Sequence, residues 1–155
     1  MHQIMQEYSF ALECYTKTLE IQQKILPPHH PDLATIYNNI GIPYESTKEY
    51  STALENYQPA LKIHEKTLLT NHPDIAAIHT SIATAFVGLE DLQKAIDYEQ
   101  HAVDIASQCL ALDHPDLQTF KNYLQRIQIK IESIQNKHAL IIDVNFKATT
   151  MPYLL

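Results

Sequence analysis

His30-Pro31-Asp32 recurs as His72-Pro73-Asp74 and again as His114-Pro115-Asp116, at intervals of 42 residues. A fixed period of this size is the signature of stacked structural repeats, each of which buries its apolar face only against its neighbours. Proline suits the first position of a helix, and the following aspartate places negative charge at the positive end of the helix dipole. The tripeptide therefore reads as a helix entry. As metal ligands the three histidines are poorly placed, one full period apart with no second ligand at short spacing.

Alignment on the period supplies the rest of the unit. Ile40-Gly41, Tyr44, Tyr50, Ala53-Leu54, Tyr57, Ala60-Leu61 and Ile63 correspond to Ile82-Ala83, Phe86, Leu92, Ala95-Ile96, Glu99, Ala102-Val103 and Ile105. Tyr8, Ala11-Leu12, Tyr15, Thr18-Leu19 and Ile21 fill the second half of the same columns one period earlier. Small residues at Gly41, Ala53 and Ala60 beside large ones at Ile40, Tyr44 and Tyr57 are what two antiparallel helices need where their backbones approach. The expected fold is all-α, a solenoid of about five helices stacked as antiparallel pairs.

The stretches HPDLATIYNNIGIPYESTKEYSTALENYQPALKI and HPDIAAIHTSIATAFVGLEDLQKAIDYEQHAVDI resemble the tetratricopeptide repeat in its 42-residue kinesin light chain form, over about residues 8–136. The resemblance implies a right-handed α-solenoid. Its units are a half-repeat and loop at 1–29, full repeats at 30–71 and 72–113, a capping helix at 114–136 and a non-repeat tail at 137–155. The half-repeat marks either a start on a second helix or a piece of a longer array.

Within this frame, helices are expected from Pro31 to about Ser46, Tyr50 to Leu69, Pro73 onward to a turn near Gly88–Asp91, and then to about Leu110. Pro43 and Pro59 fall inside helices of the first full repeat, each removing a backbone donor, so that repeat should kink or be weaker than the second. The glycine usual between paired helices is replaced by Lys48 and Glu90. In the last helix Leu117, Phe120, Leu124, Ile127, Ile131 and Ile134 form a packing stripe, with Gln125 and Lys137 in the close-approach columns. Long polar residues there predict that no second helix returns, leaving a cap with a polar outer face. Ala139–Phe146 reads as an extended apolar segment and Thr149–Pro152 as irregular.

The net charge of −7 divides unevenly, −10 through Asp116 and +3 after it, which argues against nucleic acid as the main partner. No apolar run reaches membrane-spanning length. Cys14 and Cys109 occupy non-equivalent repeat positions and are expected to be buried small hydrophobes in a reducing compartment, the cytoplasm. With glycine only at Gly41 and Gly88, phosphate-cradling loops and glycine-flanked serine nucleophiles are excluded. His64-Glu65 and His101 have no catalytic company in sequence, so no enzyme activity, cofactor or metal is expected.

The resemblance implies instead a peptide groove lined by the first helices of successive repeats. Carried over by register, its positions are Thr35, Asn38, Ile42 and Glu45, then Ala77, Thr80, Thr84 and Val87, then Thr119, Asn122, Arg126 and Ile129. Asn38 and Asn122 match the asparagine column of kinesin light chains, whose amide pairs with the backbone of an extended peptide; Thr80 departs from it. Lys121, Arg126 and Lys130 add positive charge suited to an acidic peptide. The expected function is a non-catalytic interaction scaffold binding a peptide or helix of a partner protein. Carried to a whole protein, the resemblance implies a kinesin heavy chain and a cargo, although the heptad segment that binds heavy chain is not among these residues. The alternatives are a targeting arm of a larger enzyme or signalling protein, and a self-associating repeat fragment.

Overall fold

The computed structural model describes residues 2–150, with side chains described over 7–146. Among the described residues six helices follow one another, rather than about five: α1 (His2–Ile25), α2 (Pro31–Ser46), α3 (Tyr50–Thr67), α4 (Pro73–Gly88), α5 (Leu92–Cys109) and α6 (Pro115–Thr150). Each packs on the next along the chain, the arrangement of an all-α solenoid.

The repeated tripeptide caps its helix through the imidazole as well as through proline. Nδ1 of His30, His72 and His114 accepts a hydrogen bond from the backbone N–H of Asp32, Asp74 and Asp116, at 3.2 Å in each case. This satisfies one of the donors that every helix start leaves without an intrahelical partner. One entry geometry is thereby repeated three times, which sets the common direction of α2, α4 and α6.

The turns inside the two full repeats are also copies of each other. Lys48 and Glu90 adopt positive φ, 66° and 63°, and the next residues, Glu49 and Asp91, donate back to the carbonyls of Tyr44 and Phe86 at 2.8 and 3.0 Å. This is the six-to-one closure that ends a helix on a left-handed residue. Gly88 itself is the last residue of α4 and has no positive φ.

Alanines at 53, 60, 95 and 102 have no exposed surface, and Tyr57 and Ile82 are equally enclosed. Small residues let the backbones close in, and the tyrosine and isoleucine fill the space between. Pro43 and Pro59 lie within α2 and α3, each of which continues as a single helix through its proline.

Expectations about two regions, the end of α6 and the two cysteines, are corrected. Residues 139–146 are helical rather than extended, because α6 runs on to Thr150 past the expected end at 136. No glycine or proline lies between Pro115 and Pro152, and Glu132, one period after the turn residues Lys48 and Glu90, sits in mid-helix. With Gln125 and Lys137 blocking close approach, nothing folds the chain back. This extension leaves Leu140, Ile141, Ile142 and Val144 exposed. The irregular stretch expected at 149–152 is helical at Thr149 and Thr150, and its remaining residues lie outside the described ones. Second, Cys14 and Cys109 are exposed free thiols rather than buried hydrophobes.

Candidate functional site

The first helices of the repeats, α2, α4 and α6, carry the residues expected to line the groove. The structure gathers most of them into three adjoining clefts. Between α2 and α4, a cleft of about 260 Å³ is lined by Thr35, Asn38, Asp74, Ala77 and Ser81, with His64 of α3. Between α4 and α6, a cleft of about 360 Å³ brings Thr80 and Thr84 opposite Thr119, Asn122 and Arg126. Along α6, Arg126, Ile129, Lys130 and Lys137 border a third of about 490 Å³.

Ile42 and Glu45 do not line these clefts. Ile42 points outward, exposed. Glu45 is half-buried and accepts a hydrogen bond from the Tyr57 hydroxyl at 2.9 Å. Burial raises its pKa above the ordinary carboxylate value, and that hydrogen bond partly offsets the rise. The Tyr57 hydroxyl is correspondingly harder to ionise, through burial first and the Glu45 charge second. This pair is therefore a structural tie between α2 and α3.

Two of the groove atoms lack partners. Asn38 Oδ1 and Thr80 Oγ1 are buried without a hydrogen bond. Such atoms are uncommon in folded proteins and lose on the order of 1–3 kcal/mol each relative to their hydrated state. Thr84 instead turns its hydroxyl back to the Thr80 carbonyl at 3.0 Å.

Sequence reasoning missed three contributors. Phe120 and Tyr123 supply aromatic walls to the cleft between α4 and α6. The signal was there, since both flank the predicted Asn122 within one turn. Glu99 of α5 lies below Thr80, wholly enclosed, with neither carboxylate oxygen hydrogen-bonded. Burial pushes its pKa up to about 7, and the nearby Thr80 hydroxyl moderates the shift without completing a hydrogen bond. The column comparison set Glu99 in register with Tyr57 without marking it as a buried acid.

Among the described residues no cluster of His, Cys, Asp or Glu has the arrangement of a metal site, and no helix is long and apolar enough to cross a membrane.

The tetratricopeptide repeat model matches this chain over residues 1–66 and 44–108. No curated protein matches its sequence. Among solved structures, the chain is similar to the nearly identical TPR-like repeats of a Podosopora anserina kinesin light chain. The identity is 22%, the TM-score 0.75, and the match covers 98% of this chain and 74% of that one. It is also similar to BtubC (BKLC) from P. vanneervenii, at 16% identity and TM-score 0.76, over 96% of this chain and 59% of that one. At these identities the likeness is one of fold, and it extends through the helices on both sides of the two full repeats. The chain belongs to the tetratricopeptide repeat family, and its architecture is that of a protein-interaction scaffold.

Proposed function

We propose that the face formed by α2, α4 and α6 binds an extended or helical segment of a partner protein. The observation that carries this reading is the run of clefts along successive first helices, lined by Thr35 and Asn38, by Thr80, Thr84 and Asn122, and by Arg126 and Lys130. A peptide backbone presents N–H and C=O groups at the spacing of successive residues, and polar side chains such as Asn122 on this face can pair with them. Asn122 and the Thr84 and Tyr123 hydroxyls extend the polar line along α4 and α6.

Charge gives the segment a polarity. Arg126, Lys130 and Lys137 border the cleft on α6, so the acidic part of a bound peptide lies against that helix. Binding of this kind requires no catalytic group or cofactor from the chain. The free, exposed Cys14 and Cys109 suit a reducing compartment, and cytoplasmic residence is part of the proposal.

The experiment is selection of peptides from a displayed library on the full chain. Affinities are then measured for the Asn38→Ala, Asn122→Ala and Arg126→Ala variants. Each variant is expected to weaken selected peptides by about tenfold, the loss of roughly one charge-assisted or backbone-directed hydrogen bond. Equal binding by all three variants would place the peptide elsewhere and overturn the reading.

Self-association is a second reading, favoured by the exposed apolar residues Leu140, Ile141, Ile142 and Val144 on the extension of α6. Sedimentation across a concentration series separates the two. A mass that rises with concentration and falls back on Ile141→Asp supports self-association, and a constant monomer mass rules it out.

A further inference from the structure

A cavity of about 670 Å³ lies on the other side of the array from the groove, between the second helices α3 and α5. It shares no residue with the three clefts of the first helices. Leu61, Ile75 and Ile105 make its aliphatic wall, and the rings of His79, Tyr98 and His101 make an aromatic one. His79 and His101 stack, with centroids 5.5 Å apart and planes inclined by 23°, and Tyr98 is 5.6 Å from His79. Glu65 and Asp97 add two carboxylates, and no lysine or arginine lines the cavity.

His79 is only 8% exposed, and its Nδ1 is buried with no hydrogen-bond partner. Burial, with His101 adding to it, drives its pKa down to about 4, so the ring is neutral and brings no positive charge to the cavity. The site combines flat neutral rings and two carboxylates, without a cation of its own. Those features complement a planar, cationic group rich in N–H donors.

We infer that this cavity is a second protein-docking site, which takes an arginine side chain of a partner, its guanidinium stacked on the Tyr98–His79–His101 rings and paired with Glu65 and Asp97. The inference does not depend on the groove reading, since the two surfaces are lined by different residues. A partner engaging both sides would present an acidic segment to α6 and an arginine to the opposite side. Lysine fits less well, because its compact ammonium is strongly hydrated and offers no plane to stack.

The test is an NMR titration of the full chain with N-acetyl-arginine N-methylamide, followed in parallel with the blocked lysine and blocked glutamate analogues. Saturable shifts of the Tyr98, His79 and His101 ring signals with the arginine compound alone are expected. Glu65→Gln combined with Asp97→Asn should weaken that binding by about tenfold or more, as removal of two charge partners requires. Both carboxylates are on exposed residues, so the double variant keeps the fold, and an unchanged helical spectrum verifies it. Absence of saturable shifts overturns the inference, as does equal binding by the lysine or glutamate analogue, or by the double variant. Groove variants such as Arg126→Ala should leave this titration unchanged, so failure here and failure of the groove reading are separate results.

Discussion

Gly41 of α2 lies flat against the ring of Tyr57 of α3: a Cβ added to the glycine would stand 2.4 Å from Cε1 and 2.6 Å from Cδ1 of that ring. The ring is wholly enclosed and its hydroxyl is tied to Glu45, so it has nowhere to retreat. Gly41→Ala should therefore destabilise the chain by about 1–3 kcal/mol, the usual penalty of overpacking. Chemical denaturation measures the loss. Adding Tyr57→Leu should recover part of it in a double-mutant cycle, since the shorter side chain frees the space. Additive losses would mean that the glycine is needed for some reason other than the ring.

Gly88 of α4 stands in the same relation to Tyr50 of α3, with a virtual Cβ 2.3 Å from the ring. The glycines of this chain thus serve close packing, while the positions that call for glycine's backbone freedom hold Lys48 and Glu90. Left-handed backbone costs an L-residue roughly 1–2 kcal/mol that glycine does not lose. Lys48→Gly and Glu90→Gly should each raise stability, by about 1 kcal/mol. The thermal midpoint reports it, and a fall in both variants would show that the lysine and glutamate side chains hold the turns by contacts of their own.

The solenoid was legible because its signals are local and repeated. The tripeptide fixes three helix entries, and the Gly41 and Tyr57 columns announce a close approach of α2 and α3 that the structure shows. Register, carried over from the family resemblance, set Asn38, Thr80, Thr84, Asn122 and Arg126 on the first helices, where they line clefts. Register does not reveal that the Glu45 side chain bonds to Tyr57 instead of lining a cleft. The tail was misread because a run such as Leu140-Ile141-Ile142 has no period that separates strand from helix. What decides there is the absence of any glycine or proline to stop α6. The cavity of His79 and His101 was invisible for a different reason: its residues come from three helices, and pairs such as Glu65 and Asp97 are neighbours only after the repeats stack.

Pro59 gives a direct measure of what the first repeat loses. It lies within α3, is half-buried, and has no N–H to offer the Glu55 carbonyl one turn back. Pro59→Ala should stabilise the chain by about 1–3 kcal/mol. Pro43 is buried in the packing of α2, so Pro43→Ala removes ring contacts as it restores a donor and should gain less. Native-state hydrogen exchange is the more discriminating readout, because protection should rise first in α2 and α3. A uniform rise across all six helices would mean that the repeats unfold together and that the proline weakens no one unit.

His79 and Glu99 set opposite pH dependences that mask each other. Burial lowers His79 from 6.5 to about 4, so between these values the unfolded chain binds a proton that the folded chain does not. Stability from this group is complete above 6.5 and is lost as pH falls toward 4. Burial raises Glu99 from 4.5 to about 7, so in that window the folded chain holds the extra proton, and stability is lost as pH rises from 4.5 to 7. Between pH 4.5 and 6.5 the two slopes cancel. Relative to the parent, Glu99→Gln should gain stability with rising pH and be ahead by about 1–3 kcal/mol above pH 7, where the parent buries a charge with no partner. His79→Gln removes the other slope, so its stability relative to the parent should fall as pH rises across the same range. Denaturation midpoints measured at intervals from pH 4 to 8 give both curves. Parallel curves for parent and variants would show that neither group is held away from its ordinary protonation by the fold.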